Sequence, residues 1–141
     1  MDPLLYTLII DDEPAMQFLH KLVIEEWHLE GIALEILNPA FGLRFIDMHN
    51  DLDKRFLVLL DLNMPGMDGW TFLDIVSKTT RQAEVAVVVA TSSVNPIDKT
   101  KVLSYPIVVE YIEKPLAGLH LDRLANHPRI GHWIKKCLPS I

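Results

Sequence analysis

Apolar runs and turn residues alternate along this chain with a regular beat. Residues Leu4–Ile10 (LLYTLII) form a leucine-rich, β-branched run that stops at Asp11-Asp12-Glu13, three acids that no strand interior accepts. Pro14 suits the first turn of a helix, where its missing N–H costs nothing. Ala15, Phe18, Leu19, Leu22 and Val23 then recur at helical spacing, which predicts an amphipathic helix from 14 to about 27. A short second strand at 33–37 closes on Asn38-Pro39, and Phe41, Phe45, Ile46 and Met48 mark a second helix ended by Asn50-Asp51. The third strand, 56–60 (FLVLL), runs into Asp61, and Pro65, Gly66 and Gly69 punctuate the loop after it. Trp70, Leu73 and Val76 give a third helix starting near Asp68 or Gly69.

A fourth strand at 85–90 (VAVVVA) leads straight into Thr91-Ser92-Ser93. Asn95 and Pro96 are a good N-cap and first-turn pair for a fourth helix over roughly 96–104. The fifth strand, 107–112 (IVVEYI), leads into Glu113-Lys114-Pro115. Continuous apolar runs bounded by turn residues fit strands buried on both faces. Strand and helix patterns alternate through short connections, which predicts an α/β fold built on a doubly wound, five-stranded parallel sheet.

Beyond the fifth strand the pattern loosens. Leu116, Leu119, Leu121 and Leu124 suggest a fifth helix, which Pro128 interrupts or replaces with another. Ile130, Trp133, Ile134, Cys137 and Leu138 follow i, i+3, i+4, i+7, i+8 and so form one apolar stripe. A helix of about ten residues is marginal alone in water, so this stripe must be buried on something. Either it extends helix five and packs on its own sheet, or it covers an outer face and makes a dimer or partner groove. The chain is accordingly read as one domain over 1–127, with 128–141 an amphipathic C-terminal extension of it.

Composition narrows the class. A length of 141 residues suits a single domain with a real core, and 50% hydrophobic residues exclude a disordered chain. The net charge of −6 argues against a nucleic-acid partner, because phosphate contacts need a basic face. No apolar run approaches the roughly 18 residues that span a membrane. Met1-Asp2-Pro3 lacks the basic start of a secretory signal. A single cysteine, Cys137, points to a reducing, cytoplasmic setting.

The chemistry gathers at strand ends. In open parallel sheets the carboxyl ends of the strands share one edge, where ligands bind. Here those ends carry Asp11-Asp12, Asp61, Thr91-Ser92 and Lys114. Two carboxylates about 5 Å apart repel by on the order of 3 kcal/mol at an effective dielectric of 20. A hard divalent cation with oxygen ligands offsets that, and Mg²⁺ is the candidate because it uses few carboxylates and keeps several waters. A carboxylate can attack phosphorus to form an aspartyl phosphate, and the transferring group needs positive charge and donors around its oxygens. Mg²⁺, Lys114 and the Thr91 hydroxyl are groups of the right kind.

With these residues in order, the sequence resembles the receiver domain of two-component response regulators, similar to the stand-alone chemotaxis type, over about residues 4–125. Asp11 and Asp12 match the family's acidic pair and Asp61 its phospho-acceptor. Asn63 matches the position whose backbone carbonyl ligates Mg²⁺, and Met64-Pro65-Gly66-Met67-Asp68-Gly69 repeats the family's loop. Thr91 matches the switch hydroxyl, Tyr111 the switch aromatic, and Lys114-Pro115 the lysine with its usually cis proline. Ser92 departs from the pattern, since the family usually has alanine or another small residue after the switch hydroxyl.

The resemblance implies a flavodoxin-like receiver fold and a single-domain regulator. It would accept a phosphoryl group onto Asp61 from a sensor histidine kinase or phosphotransfer protein, with Mg²⁺ held by Asp11, Asp12, Asp61 and the Asn63 carbonyl. It implies no enzyme beyond self-catalysed phosphotransfer and autodephosphorylation, and no organic cofactor. Thr91 and Lys114 would be drawn to the phosphoryl oxygens, and Tyr111 would rotate inward, changing the face formed by helix four, strand five and helix five. Output would pass through a downstream protein or through a phosphorelay, from a monomer or weak homodimer with no nucleic-acid or membrane partner.

Other readings fit the residues less well. An aspartyl-intermediate phosphatase needs an acid two residues after the nucleophile, where Asn63 stands. A flavin-binding module wants a phosphate loop after strand one, where Asp11-Asp12-Glu13 would repel the flavin phosphate. The alternative is a receiver-fold interaction module that works without phosphorylation. Glu13 is either an outer-sphere acid near the metal or a solvated helix-start acid. His20, His28, His49, His120, His127 and His132 show no metal-ligand spacing, and Cys137 lies on the apolar stripe as a packed residue.

Overall fold

The apolar runs become five parallel strands, seen in a computed structural model that describes residues 3–27, 31–64, 68–79, 82–92 and 94–135. Strands β1 (Leu4–Ile10), β2 (Ile32–Ile36), β3 (Lys54–Asp61), β4 (Glu84–Thr91) and β5 (Val108–Glu113) lie in the order β2-β1-β3-β4-β5. Helices α1 (Pro14–Glu26), α2 (Pro39–Met48), α3 (Gly69–Lys78), α4 (Pro96–Leu103) and α5 (Gly118–Ala125) make the crossovers and the return, and a short α6 (Gly131–Lys135) comes last. This is the doubly wound sheet that the alternation predicts. The loop residues Pro65, Gly66 and Met67, together with Ser93, His28, Cys137 and Leu138, lie outside the described residues.

Side chains alternate across each strand and fill two cores. Tyr6, Leu8 and Ile10 of β1 join Phe56, Val58 and Leu60 of β3 under α2, α3 and α4. Leu5 and Ile9 join Leu57, Leu59, Ala86, Val88 and Ile112 under α1, α5 and α6. Caps fix the helix starts: Asn38 accepts from the Ala40 amide, Asp68 from Thr71, and Asn95 from Ile97 and Asp98. Gly31 sits at φ +97°, where a Cβ would stand 1.9 Å from the Leu5 carbonyl oxygen, so the turn into β2 needs glycine.

Two helices bury a different face from the one their periodicity suggests. In α1, Phe18, Leu19 and Leu22 are 58%, 48% and 43% exposed, while Gln17, His20 and Ile24 face the sheet. Gln17 is tolerated inside because its Nε2 donates to the Ile9 carbonyl at 3.1 Å. In α2, Phe41 and Met48 point outward and Ile46 inward. Leu119 of α5 is also exposed, while Leu116, Leu121 and Leu124 are buried.

The tail takes the first of its two readings in part. It does not prolong α5: the helix stops at Ala125 and a turn leads into the separate α6. Ile130, Trp133 and Ile134 nevertheless enter the second core, and the Arg55 guanidinium lies 5.5 Å from the centre of the Trp133 ring. Trp133→Ala should therefore lower stability by roughly 3–5 kcal/mol, the range for deleting a buried large aromatic, without changing the oligomeric state. Denaturant melts with sedimentation check this; an unchanged melt would place the tail outside the cooperative core.

Candidate functional site

Three strand ends meet through one lysine. Asp11 follows β1, Asp61 closes β3, and Lys114 follows β5. The Lys114 Nζ lies 2.6 Å from Asp11 Oδ2 and 3.1 Å from Asp61 Oδ2, with all three side chains almost wholly buried. Each aspartate spends its other oxygen on its own loop. Asp11 Oδ1 accepts from the Glu13 amide at 2.9 Å, and Asp61 Oδ1 accepts from the Asn63 amide at 3.1 Å. The two carboxylates are thus oriented by local turns before any ligand arrives.

Asp12 completes the acidic group. One carboxylate oxygen from each of Asp11, Asp12 and Asp61 lies within 4.8 Å of the others, with Asp12 exposed and the other two buried. Thr91 ends β4 in the same place, 2% exposed, and its carbonyl accepts from the Lys114 amide at 2.8 Å. The Lys114–Pro115 peptide is cis, as the resemblance implies. Asn63 and Ser92 are exposed at the rim. The sheet therefore brings Asp11, Asp12, Asp61, Asn63, Thr91 and Lys114 to a single edge.

Electrostatics follow from burial and pairing. Burial pushes the Asp61 carboxyl above its ordinary value, with the Asn63 amide and Lys114 pulling against it and Asp11 adding to it. Burial alone would lower Lys114, but its bonds to Asp11 and Asp61 outweigh it and hold the ammonium above its usual value. The acidic set is a hard, all-oxygen donor group with more carboxylate than Lys114 alone can neutralise, which fits a divalent cation such as Mg²⁺.

Tyr111 lies inward. The side chain is 5% exposed, and its hydroxyl accepts from the Asn95 amide at 3.3 Å. The phenol finds a donor there because the first amides of α4 lack helical partners.

Some contributors carry no motif. A Cβ on Gly69 would stand 2.6 Å from the Asp61 carbonyl oxygen and 2.5 Å from Leu62 Cα, so α3 can start this close to the end of β3 only on glycine. Gln17 braces the last turn of β1 just before Asp11. His20 is buried behind the site, and neither ring nitrogen has a hydrogen-bond partner. Gln17 and His20 lie off the apolar stripe of their helix, so no local pattern marks them as buried until the buried face is known.

Fold and site together define a class: a parallel sheet whose carboxyl edge holds an acidic cation-type cluster beside a lysine and a hydroxyl. The sequence matches the response regulator receiver domain family over residues 7–126, and the chain belongs to it. It is 28% identical to a two-component response regulator of Arabidopsis thaliana over 127 residues, covering 88% of this chain and 83% of that protein. It is 31% identical to a sensor histidine kinase of Helicobacter pylori, covering 70% of this chain and 12% of the kinase. For a probable C4-dicarboxylate response regulator of Priestia megaterium the identity is 30%, covering 77% of this chain and 44% of that protein. The chain thus spans less than half the length of these two bacterial relatives. A two-component response regulator from Cytophaga hutchinsonii shares the fold at a TM-score of 0.73 and 24% identity, covering 88% of this chain and 96% of that one. Receiver domains typically accept phosphoryl groups and work with histidine kinases. No described helix is long and apolar enough to cross a membrane.

Burial holds His20 down at about 4, below its ordinary value of 6.5, with Asp11 opposing and Lys114 and His120 adding to the depression. A base depressed on folding contributes stability that is complete above its unfolded value and lost as pH falls towards its folded one. The domain should therefore lose on the order of 3 kcal/mol between about pH 6.5 and 4 through this one side chain. Denaturation midpoints across that window should slope in the parent and flatten in His20→Leu. Parallel slopes in both would mean that the imidazole titrates normally.

Proposed function

We propose that the chain is a response regulator whose Asp61 accepts a phosphoryl group, in a Mg²⁺-dependent reaction, from the phosphohistidine of a histidine kinase or phosphotransfer protein in the cytoplasm. The single observation that carries this is the Lys114 ammonium held between Asp11 and Asp61 at one sheet edge. Asp11, Asp12, Asp61 and the Asn63 carbonyl would hold Mg²⁺, which when bound supplies positive charge that offsets the carboxylates and lets an anion approach.

This chain's own groups account for the rest. A carboxylate oxygen of Asp61 forms the new O–P bond as the N–P bond of the donor breaks, and the donor imidazole leaves with the electron pair of that bond. The turn to Asn63 keeps the Asp61 carboxylate aimed out of β3 while that happens. Lys114, already charged, moves from Asp61 onto the new phosphoryl oxygens, and the buried Thr91 hydroxyl is the neutral donor beside them. Lys114 is tied to Thr91 through the main chain, so its movement bears on β4 and β5 together. The readout is the face of α4, β5 and α5, met by a downstream protein.

A second reading is an interaction module that uses the same fold without phosphorylation. Intact mass after treatment with acetyl phosphate and Mg²⁺ separates the two. One added phosphoryl group is expected, absent in Asp61→Asn, with weaker Mg²⁺ binding in Asp12→Ala. An undiminished adduct on Asp61→Asn would put the acceptor elsewhere, and no adduct on the parent would favour the second reading. Lys114→Ala should keep part of the adduct yet lose the change in hydrogen exchange over residues 91–112 that a phosphoryl mimic produces in the parent. A parental response in that variant would remove the lysine from the readout.

A further inference from the structure

We propose that a groove on the opposite edge of the sheet from Asp61 binds a small amphipathic monocarboxylate, with Arg129 as the anion anchor. The groove is open to solvent and measures about 380 Å³ between the end of α3, the starts of β4 and β5, and the α5–α6 turn. Sites for small molecules run from about 300 to 1,000 Å³, so this one suits a ligand at the low end. Val76, Ala83 and Val85 form a buried apolar floor, Ile107 adds a half-buried wall, and Ser77 stands at the exposed rim.

Arg129 supplies the charge. Its two terminal nitrogens donate to the carbonyl oxygens of Pro106 at 2.8 Å and Val85 at 3.0 Å. Those bonds fix the planar guanidinium at the groove without neutralising it, since a carbonyl carries no charge. Of its five N–H donors, two are used and three remain. Among the described residues no carboxylate forms an ion pair with it. A pinned cation gives up little further side-chain freedom on binding, and guanidinium matches a carboxylate in two-point geometry. One cation over an apolar floor selects a monoanion with an apolar body; a polyphosphate would bring more charge than the groove can answer.

Phenylacetate is a suitable probe, with phenylacetamide as its neutral counterpart, titrated into the full isotope-labelled chain and read by amide chemical shifts. Saturable shifts are expected at residues 76–79, 83, 85, 107 and 129, with residues 11–13 and 61–63 unmoved. The amide should bind at least roughly tenfold more weakly, the least effect expected when a charged hydrogen-bond partner is lost. Arg129→Leu should weaken phenylacetate by a similar factor. Ser77→Trp, which fills the groove from its rim and leaves the arginine in place, should abolish binding; should Arg129→Leu fail to fold, that variant and the neutral probe decide. The proposal is overturned by an absence of saturable shifts at millimolar phenylacetate, by equal affinity for the amide, or by shifts that persist in Ser77→Trp. An intact Asp61 adduct in Ser77→Trp keeps this result separate from the phosphoryl chemistry.

Discussion

The buried contact of Lys114 with Asp11 and Asp61 is the constraint on which the rest of the structure turns. Removing one partner from a buried charge group leaves the others uncompensated, at a cost of roughly 3–5 kcal/mol. Asp11 and Asp61 stand at the ends of the neighbouring strands β1 and β3, whereas Lys114 follows β5. With β3 and β4 between β1 and β5, three strand spacings amount to roughly 14 Å. Only a long side chain aimed inward from the β5 end can close that distance. Thr91 ends β4, the strand next to β5.

That arrangement also explains why the site is sensitive. Two carboxylates and one ammonium leave an excess negative charge in a poorly hydrated place, and exposed Asp12 adds to it. Burial drives Asp61 towards its neutral form while the Asn63 amide and Lys114 favour the anion. A carboxylate held between opposing influences of this size responds strongly to any added charge. The local turns at Glu13 and Asn63 keep the carboxylates aimed while that balance shifts.

Strands and strand-end chemistry were legible because each depends on a few adjacent residues. The run FLVLL before Asp61, and VAVVVA before Thr91, need no knowledge of neighbours to be read as buried strands. The faces of α1 and α2 were not legible. Phe18, Leu19 and Leu22 make a good helical stripe, but the stripe says only that one face is apolar, and a different face turns to the sheet. Gly69 read as a turn residue, whereas its need for glycine comes from Asp61 and Leu62, contacts that exist only after α3 folds back on β3. The position of Tyr111 depends on a donor at Asn95, sixteen residues away, and no local pattern encodes that pairing.

The same pairing bears on how change at the site could reach the surface. Helix α4 is held lightly, with Val102 its one buried residue and Ile97 80% exposed. Three contacts compensate: Lys101 lies 4.4 Å from the Trp70 ring centre, Tyr105 bonds Asp74, and Tyr111 meets the Asn95 amide. The first two tie α4 and its C-terminal loop to α3, and the third joins the Val108 amide bond to the Tyr105 carbonyl in tying this region to β5. Thr91 and Lys114 share a main-chain bond between β4 and β5, and the Tyr111 hydroxyl on β5 meets the amide of Asn95, which caps α4. An element with so little burial of its own answers a change of one hydrogen bond, where a well-packed helix would not.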